Sequence, residues 1–133
     1  MSRGLEAELY EATVKFYETL NESYRTLDPT PVYELVTDRC GACKRYIESV
    51  DLTRRKGHRN ADLGHYIIED FEISEYSIGG DYQTVLFKLT HTGLRELDAK
   101  GREVRNVKRQ TVDGMIEFVR EDGRWLVDEQ YLN

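Results

Sequence analysis

The chain has 133 residues, 39% of them hydrophobic and 33% charged, with a net charge of −6 and nine tyrosines. This length predicts a single domain over residues 1–133, large enough to fold around its own core without metals or many disulfides. The acidic balance excludes the basic face expected of a nucleic-acid binder, and no apolar run approaches the roughly 18 residues that span a membrane.

Helical periodicity opens the chain. Leu5, Leu9, Ala12, Phe16 and Leu20 recur at steps of three and four, which is one face of a helix from Leu5 to about Arg25. Tyr10, Tyr17 and Tyr24 recur every seven residues and border that stripe. Such a border either packs with its hydroxyls wet or turns one or two rings toward a cavity. The glycosylation sequon Asn21-Glu22-Ser23 lies inside this helix and reads as chance. Asp28-Pro29-Thr30-Pro31 stops the helix and starts a second, Pro31 to Val36, with Val32, Leu35 and Val36 inward. A third helix is predicted from Gly41 or Ala42 to Lys56, capped by Thr37 or Asp38, with Tyr46, Ile47 and Val50 on its apolar face. Arg54-Arg55-Lys56-Gly57 ends it, with cations at the negative end of the helix dipole followed by glycine. The basic run reads as a solvated helix end, able to meet anionic lipid only in a tethered domain.

After Gly57 the hydrophobic period changes to two. A strand from Tyr66 to Ile78, a turn at Gly79-Gly80-Asp81 and a strand from Tyr82 to Thr92 follow, the last with Val85, Phe87 and Leu89 on one face. Asp98-Ala99-Lys100-Gly101 is a turn, and Val104 to Arg120 reads as one long strand with a bulge or bend at Asp113-Gly114. Glu121-Asp122-Gly123 turns into a final strand where Trp125, Val127 and Tyr131 alternate. Helices segregated ahead of antiparallel strands predict an α+β domain: three N-terminal helices packed on a curved four-stranded antiparallel sheet.

That order resembles the nuclear transport factor 2-like, or cystatin-like, cone. The segment Phe16-Tyr17-Glu18-Thr19-Leu20-Asn21 on the long first helix carries part of the likeness. The ending Ile116-Glu117-Phe118-Val119-Arg120-Glu121-Asp122-Gly123-Arg124-Trp125-Leu126-Val127 resembles the last hairpin of that superfamily. Within it, the Cys40/Cys43 pair opening the third helix is similar to an actinobacterial envelope lipoprotein domain of unknown function, which follows a lipobox and a low-complexity linker. The resemblance implies a cone in which the sheet wraps the first helix. It also implies an extracellular or cell-envelope location, lipid-anchored through a tether outside this chain; the alternative is the cytoplasm. It implies no activity, because this fold carries enzymes, transport factors and assembly modules alike.

Cys40 and Cys43 have four readings: a local disulfide clamping the loop into the third helix, a redox-active dithiol, half of a zinc site, or two buried thiols. The disulfide is the expected state. A zinc site needs two further ligands, and the spacing of His58, His65 and His91 forms no ligand pair, so no metal or cofactor is expected. His58, beside Arg59, reads as solvated. His91 shares a face with Val85, Phe87 and Leu89 and would reach the mouth of a cone. Alternation places Glu69 with Ile67, Phe71 and Ile73, Arg109 with Val107 and Thr111, and Glu129 with Trp125, Val127 and Tyr131. A buried carboxylate must be paired or neutralised. The outcomes are an ion pair of Arg109 with Glu69 or Glu129, a bulge that turns these groups outward, or a polar cavity shared with Tyr17, Tyr66 and Trp125. The candidate pocket is therefore Tyr17, Tyr66, Glu69, His91, Arg109, Trp125 and Glu129. The expected function is a non-enzymatic envelope domain that binds an unknown small molecule or envelope protein through its cavity or sheet face. The alternatives are an isomerase or hydratase using a carboxylate or histidine in the cone, and a homodimer joined through the exposed sheet face.

Overall fold

The computed structural model describes residues 4–133. Helices α1 (Leu5–Thr26), α2 (Thr30–Tyr33) and α3 (Gly41–Arg55) precede strands β1 (Arg59–Ala61), β2 (Tyr66–Ile73), β3 (Tyr82–His91), β4 (Leu94–Leu97), β5 (Glu103–Val107), β6 (Gln110–Glu121) and β7 (Arg124–Leu132). The α+β class stands. The expected single sheet does not: the strands form a four-stranded antiparallel sheet in the order β2-β3-β6-β7 and a three-stranded one in the order β1-β4-β5.

A two-residue bend makes two sheets of one ribbon. Only Thr92 and Gly93 separate β3 from β4, and only Lys108 and Arg109 separate β5 from β6. His91 pairs with Gln110 on one side of the bend and Leu94 with Val107 on the other. One long hairpin therefore folds across both sheets, and the strand expected from Val104 to Arg120 is two strands. Gly93 has φ +119°, and a Cβ there would lie 2.7 Å from the Val107 carbonyl oxygen, so glycine alone suits the turn. Its carbonyl accepts the Gly64 N–H (2.8 Å) and Thr92 Oγ1 accepts the His65 N–H (3.0 Å), which satisfies groups the bend frees from the ladder.

The irregularity expected at Asp113-Gly114 is absent, since β6 pairs with β3 in unbroken register through this point. Gly114 instead makes room for the facing ring: a Cβ would sit 2.3 Å from Phe87 Cε2. Register shifts lie elsewhere: between Glu117 and Phe118 where β6 meets β7, between Glu96 and Leu97 where β4 meets β5, and in β2. Asp70 has φ +54° and the register shifts between Glu69 and Glu72. Tyr66 and Ile68 face the core before it, Phe71 and Ile73 after it. A one-residue bulge reverses the alternation, which is why Glu69 no longer shares a face with Phe71. β2 also ends at Ile73, and Ile78 is exposed in the following turn.

Helix α1 buries Leu9, Phe16 and Leu20 as expected, together with Thr13 and Tyr17. The tyrosine border splits three ways. Tyr10 stays exposed against the Phe71 ring, Tyr17 is in the core, and Tyr24 turns toward a cavity. Helix α2 stops at Tyr33, short of the expected Val36, because Leu35 and Thr37 bond the Val127 backbone in place of a helical turn (Val127 N–H to Leu35 O 2.8 Å, Thr37 N–H to Val127 O 2.9 Å). The cap of α3 is Cys40, whose sulfur accepts the Cys43 N–H (3.2 Å). Thr37 serves elsewhere, donating its hydroxyl to Asp128 (2.8 Å).

Candidate functional site

The bend that splits the sheets opens a cavity of about 500 Å³ between α3 and the ribbon. Its volume falls in the ordinary range for a small-molecule site. Tyr24 comes from the last turns of α1, where the seven-residue repeat places it two turns beyond Tyr17. Tyr46 and Val50 come from the apolar face of α3, Asn60 from β1, Tyr66 from β2, and Leu89 and His91 from β3. Arg105, Val107, Lys108 and Val112 come from the two sides of the bend. Among the described residues, no lining side chain is Asp or Glu.

Aromatic rings form one wall. Tyr66 stacks edge-on to His91 with centroids 4.6 Å apart, and its hydroxyl lies 3.4 Å from that of Tyr24. Burial pushes the phenols of Tyr24 and Tyr66 up, and for Tyr24 the neighbouring phenols add to the effect. Burial also raises Tyr46, against a hydrogen bond from Gln130 that lowers it. All three are neutral hydroxyls near neutral pH. Asn60 donates through Nδ2 to the Tyr24 carbonyl (2.9 Å), while its Oδ1 is buried without a hydrogen-bond partner.

His91 is held on both nitrogens. Asn21 Nδ2 donates to the Gly64 carbonyl (2.8 Å), so Asn21 Oδ1 faces His91 Nε2 at 3.0 Å and must accept from it. The Gly93 N–H donates to His91 Nδ1 (3.0 Å). The ring is thus the neutral tautomer with its proton on Nε2. Desolvation lowers its pKa, and the nearby His65 adds to this. The same contacts bind the sequon residue Asn21 into the structure. Beside the cavity, the buried carboxylate of Glu96 takes His58 Nδ1 (2.7 Å) and Arg105 Nε (3.2 Å). His58 is therefore paired and largely covered, contrary to the solvated position expected.

Of the seven candidate residues, the structure brings Tyr66 and His91 to this cavity. Tyr17 lies behind Tyr66, ring centroids 5.0 Å apart, and donates its hydroxyl to Gln130 Oε1 in the core. Glu69 and Arg109 are exposed, and neither Glu69 nor Glu129 pairs with Arg109 among the described residues; Lys88, opposite Glu69 in register, is bound to Asp113 instead. Trp125 lies in a different place, with the Arg120 guanidinium 5.0 Å from its ring centroid, beside a smaller cavity of about 230 Å³ near Ala12 and Phe118. Glu129 sits at the start of α3, accepting the N–H groups of Gly41 (3.1 Å) and Ala42 (3.2 Å). Desolvation pushes its carboxyl up, but these donors, the Gln130 N–H and the Arg45 charge outweigh it and hold the pKa below the usual range. Tyr24, Asn60, Arg105 and Lys108 were missed. Tyr24 had a signal in the seven-residue repeat; the others reach the cavity only through the bend.

Cys40 and Cys43 form a disulfide, and both residues are fully buried. The Glu129 carboxylate beside Cys40 would disfavour a thiolate there, the opposite of the electropositive setting of a reactive Cys-x-x-Cys pair. Arg54 and Arg55 of the basic run both pair with Asp51. No described group of His, Cys, Asp and Glu could hold a metal ion, and no described helix is long and apolar enough to cross a membrane.

No family model and no curated protein matches the chain in sequence. Solved structures match its fold. The intermembrane-space region of the chloroplast protein ARC6 superposes with a TM-score of 0.67 at 13% identity, covering 98% of each chain. A protein of unknown function with a cystatin-like fold from Nostoc punctiforme gives 0.59 at 11% identity, covering 99% of this chain and 93% of the other. The association domain of CaMKII from C. elegans gives 0.59 at 14% identity, covering 96% and 97%. These likenesses establish the cystatin-like fold.

Proposed function

We propose that this chain is a non-enzymatic binding domain of the cell envelope that takes a small amphipathic molecule into the cavity behind the bend. The carrying observation is the lining. Apolar walls from Leu89, Val107 and Val112 face neutral phenols and, among the described residues, no acidic side chain. Such a mixture orients a ligand without transforming it. An isomerase or hydratase needs a base free to take a proton. His91 lies beside Tyr66 as that alternative required, yet both its nitrogens are committed to the fold. The buried disulfide supports an oxidising compartment. On this reading a tether outside the chain holds the domain at the membrane.

The experiment is fluorescence titration with N-phenylnaphthylamine, a neutral amphiphile. Wild type binds it, and Val112→Trp, which fills the cavity from β6, abolishes binding while retaining a cooperative melt. Undiminished binding to a folded Val112→Trp protein would refute the cavity as the site.

A symmetric dimer is a second reading. Leu86, Met115 and Tyr131 form one cross-strand row on the outer face of the four-stranded sheet, and Tyr131 is about half exposed. Sedimentation as a monomer at high concentration would exclude it.

A further inference from the structure

We propose that the ligand of this cavity is a small amphipathic anion, its charged group held at the mouth by Lys108 with Arg105 behind it, its apolar body laid against Leu89, Val107 and Val112. This rests on the cavity-binding reading and adds the ligand's charge to it.

The argument is electrostatic. The chain carries 25 acidic side chains against 19 basic ones, so a patch chosen at random would be acidic. The cavity reverses that balance: two cations line it, and no acidic side chain does among the described residues. The two cations differ. Arg105 is half exposed and spends its Nε on the buried Glu96, which leaves its terminal nitrogens to a ligand. Lys108 is exposed at the bend and forms no hydrogen bond or ion pair among the described residues. The acid that feels its charge, Glu103, is itself bound to Arg95 (2.7 Å). Lys108 is therefore the charge available to a ligand. The remaining polar side chains add no negative charge, since the phenols and His91 are neutral, and Asn133, which also lines the cavity, has its main-chain oxygen on the Asp113 N–H (3.0 Å). A carboxylate or sulfonate at the mouth meets cations and hydroxyl donors; a ligand cation would meet repulsion with no acidic lining side chain to balance it among the described residues.

The test compares anilinonaphthalene sulfonate with N-phenylnaphthylamine, which is the same skeleton without the sulfonate. Wild type binds the sulfonate more tightly, and added salt weakens the sulfonate alone. Charge reversal by Lys108→Glu lowers sulfonate affinity by roughly five- to tenfold, the scale of a partly exposed charge pair reversed in sign, and leaves the neutral probe within about twofold. Lys108→Gln falls between. If both probes bind equally and Lys108→Glu changes neither, while Val112→Trp still removes the neutral one, the anion proposal fails and the cavity reading stands. If Val112→Trp removes neither probe, both fail. Vesicles of phosphatidylcholine with and without phosphatidylglycerol complete the test. Absence of co-sedimentation supports a free small anion, whereas Lys108-dependent sedimentation with the anionic vesicles makes the anion a lipid headgroup and overturns the proposal.

Discussion

Replacing His91 by Phe separates the packing of this ring from its hydrogen bonds. Phenylalanine keeps the edge contact with Tyr66 (4.6 Å) and the longer one with Tyr24 (6.5 Å). It removes the Nε2–H bond to Asn21 and the bond from the Gly93 N–H, each at 3.0 Å. An intramolecular hydrogen bond contributes about 1 kcal/mol net, and a part-buried donor left unpaired costs about 1–3 kcal/mol. Gly93 N–H lies inside the bend, so His91→Phe should cost about 2–3 kcal/mol by urea denaturation at pH 7.5. The pH dependence supplies a second readout. A histidine whose pKa is lowered on folding leaves the unfolded state binding more protons. Its contribution is complete above the unfolded value of about 6.5 and is lost as pH falls toward the folded one. The phenylalanine variant lacks this component, so the stability gap between the proteins should shrink below about pH 6.5. A loss under about 0.5 kcal/mol would refute the bend-locking role. A gap that widens in acid would refute the neutral tautomer.

Gly114→Ala forces a methyl into the Phe87 ring and should cost about 1–3 kcal/mol by overpacking; Phe87→Leu in the same chain should recover part of that loss, and purely additive effects would sink the explanation. Protein purified without reductant from its native compartment should take up no alkylating label at Cys40 or Cys43 in denaturant, and two labels after reduction. Two labels without reduction would count against an oxidising compartment.

Local periodicity carried most of the elements. The stripe of Leu9, Phe16 and Leu20 and the alternation of Val85, Phe87 and Leu89 are core positions as read, because burying one face imposes the same spacing whatever the neighbours are. Site reading failed where alternation was extrapolated through an irregularity. The bulge at Asp70 sends Glu69 outward, and the bend at Lys108 and Arg109 leaves Arg109 exposed. A register shift at Asp128 likewise moves Glu129 off the Val127 face to stand opposite Glu117, and its carboxylate is spent on the first turn of α3. No strand pattern announces a helix N-terminus from another element.

The nine tyrosines and the shortage of aliphatics that mark this acidic chain are properties of the sequence alone, as are its α+β class and its cysteine pair. Hydrophobic spacing and turn chemistry act over a few residues, and a linear reading captures them. The fates of Tyr10, Tyr17 and Tyr24 were decided by tertiary structure: surface, core and cavity, although all three occupy the same helical repeat. So was the gathering of Asn60, His91, Arg105 and Lys108 around one space. A two-residue bend at Gly93 brings them together, and its consequences appear only when the ribbon closes on the helices.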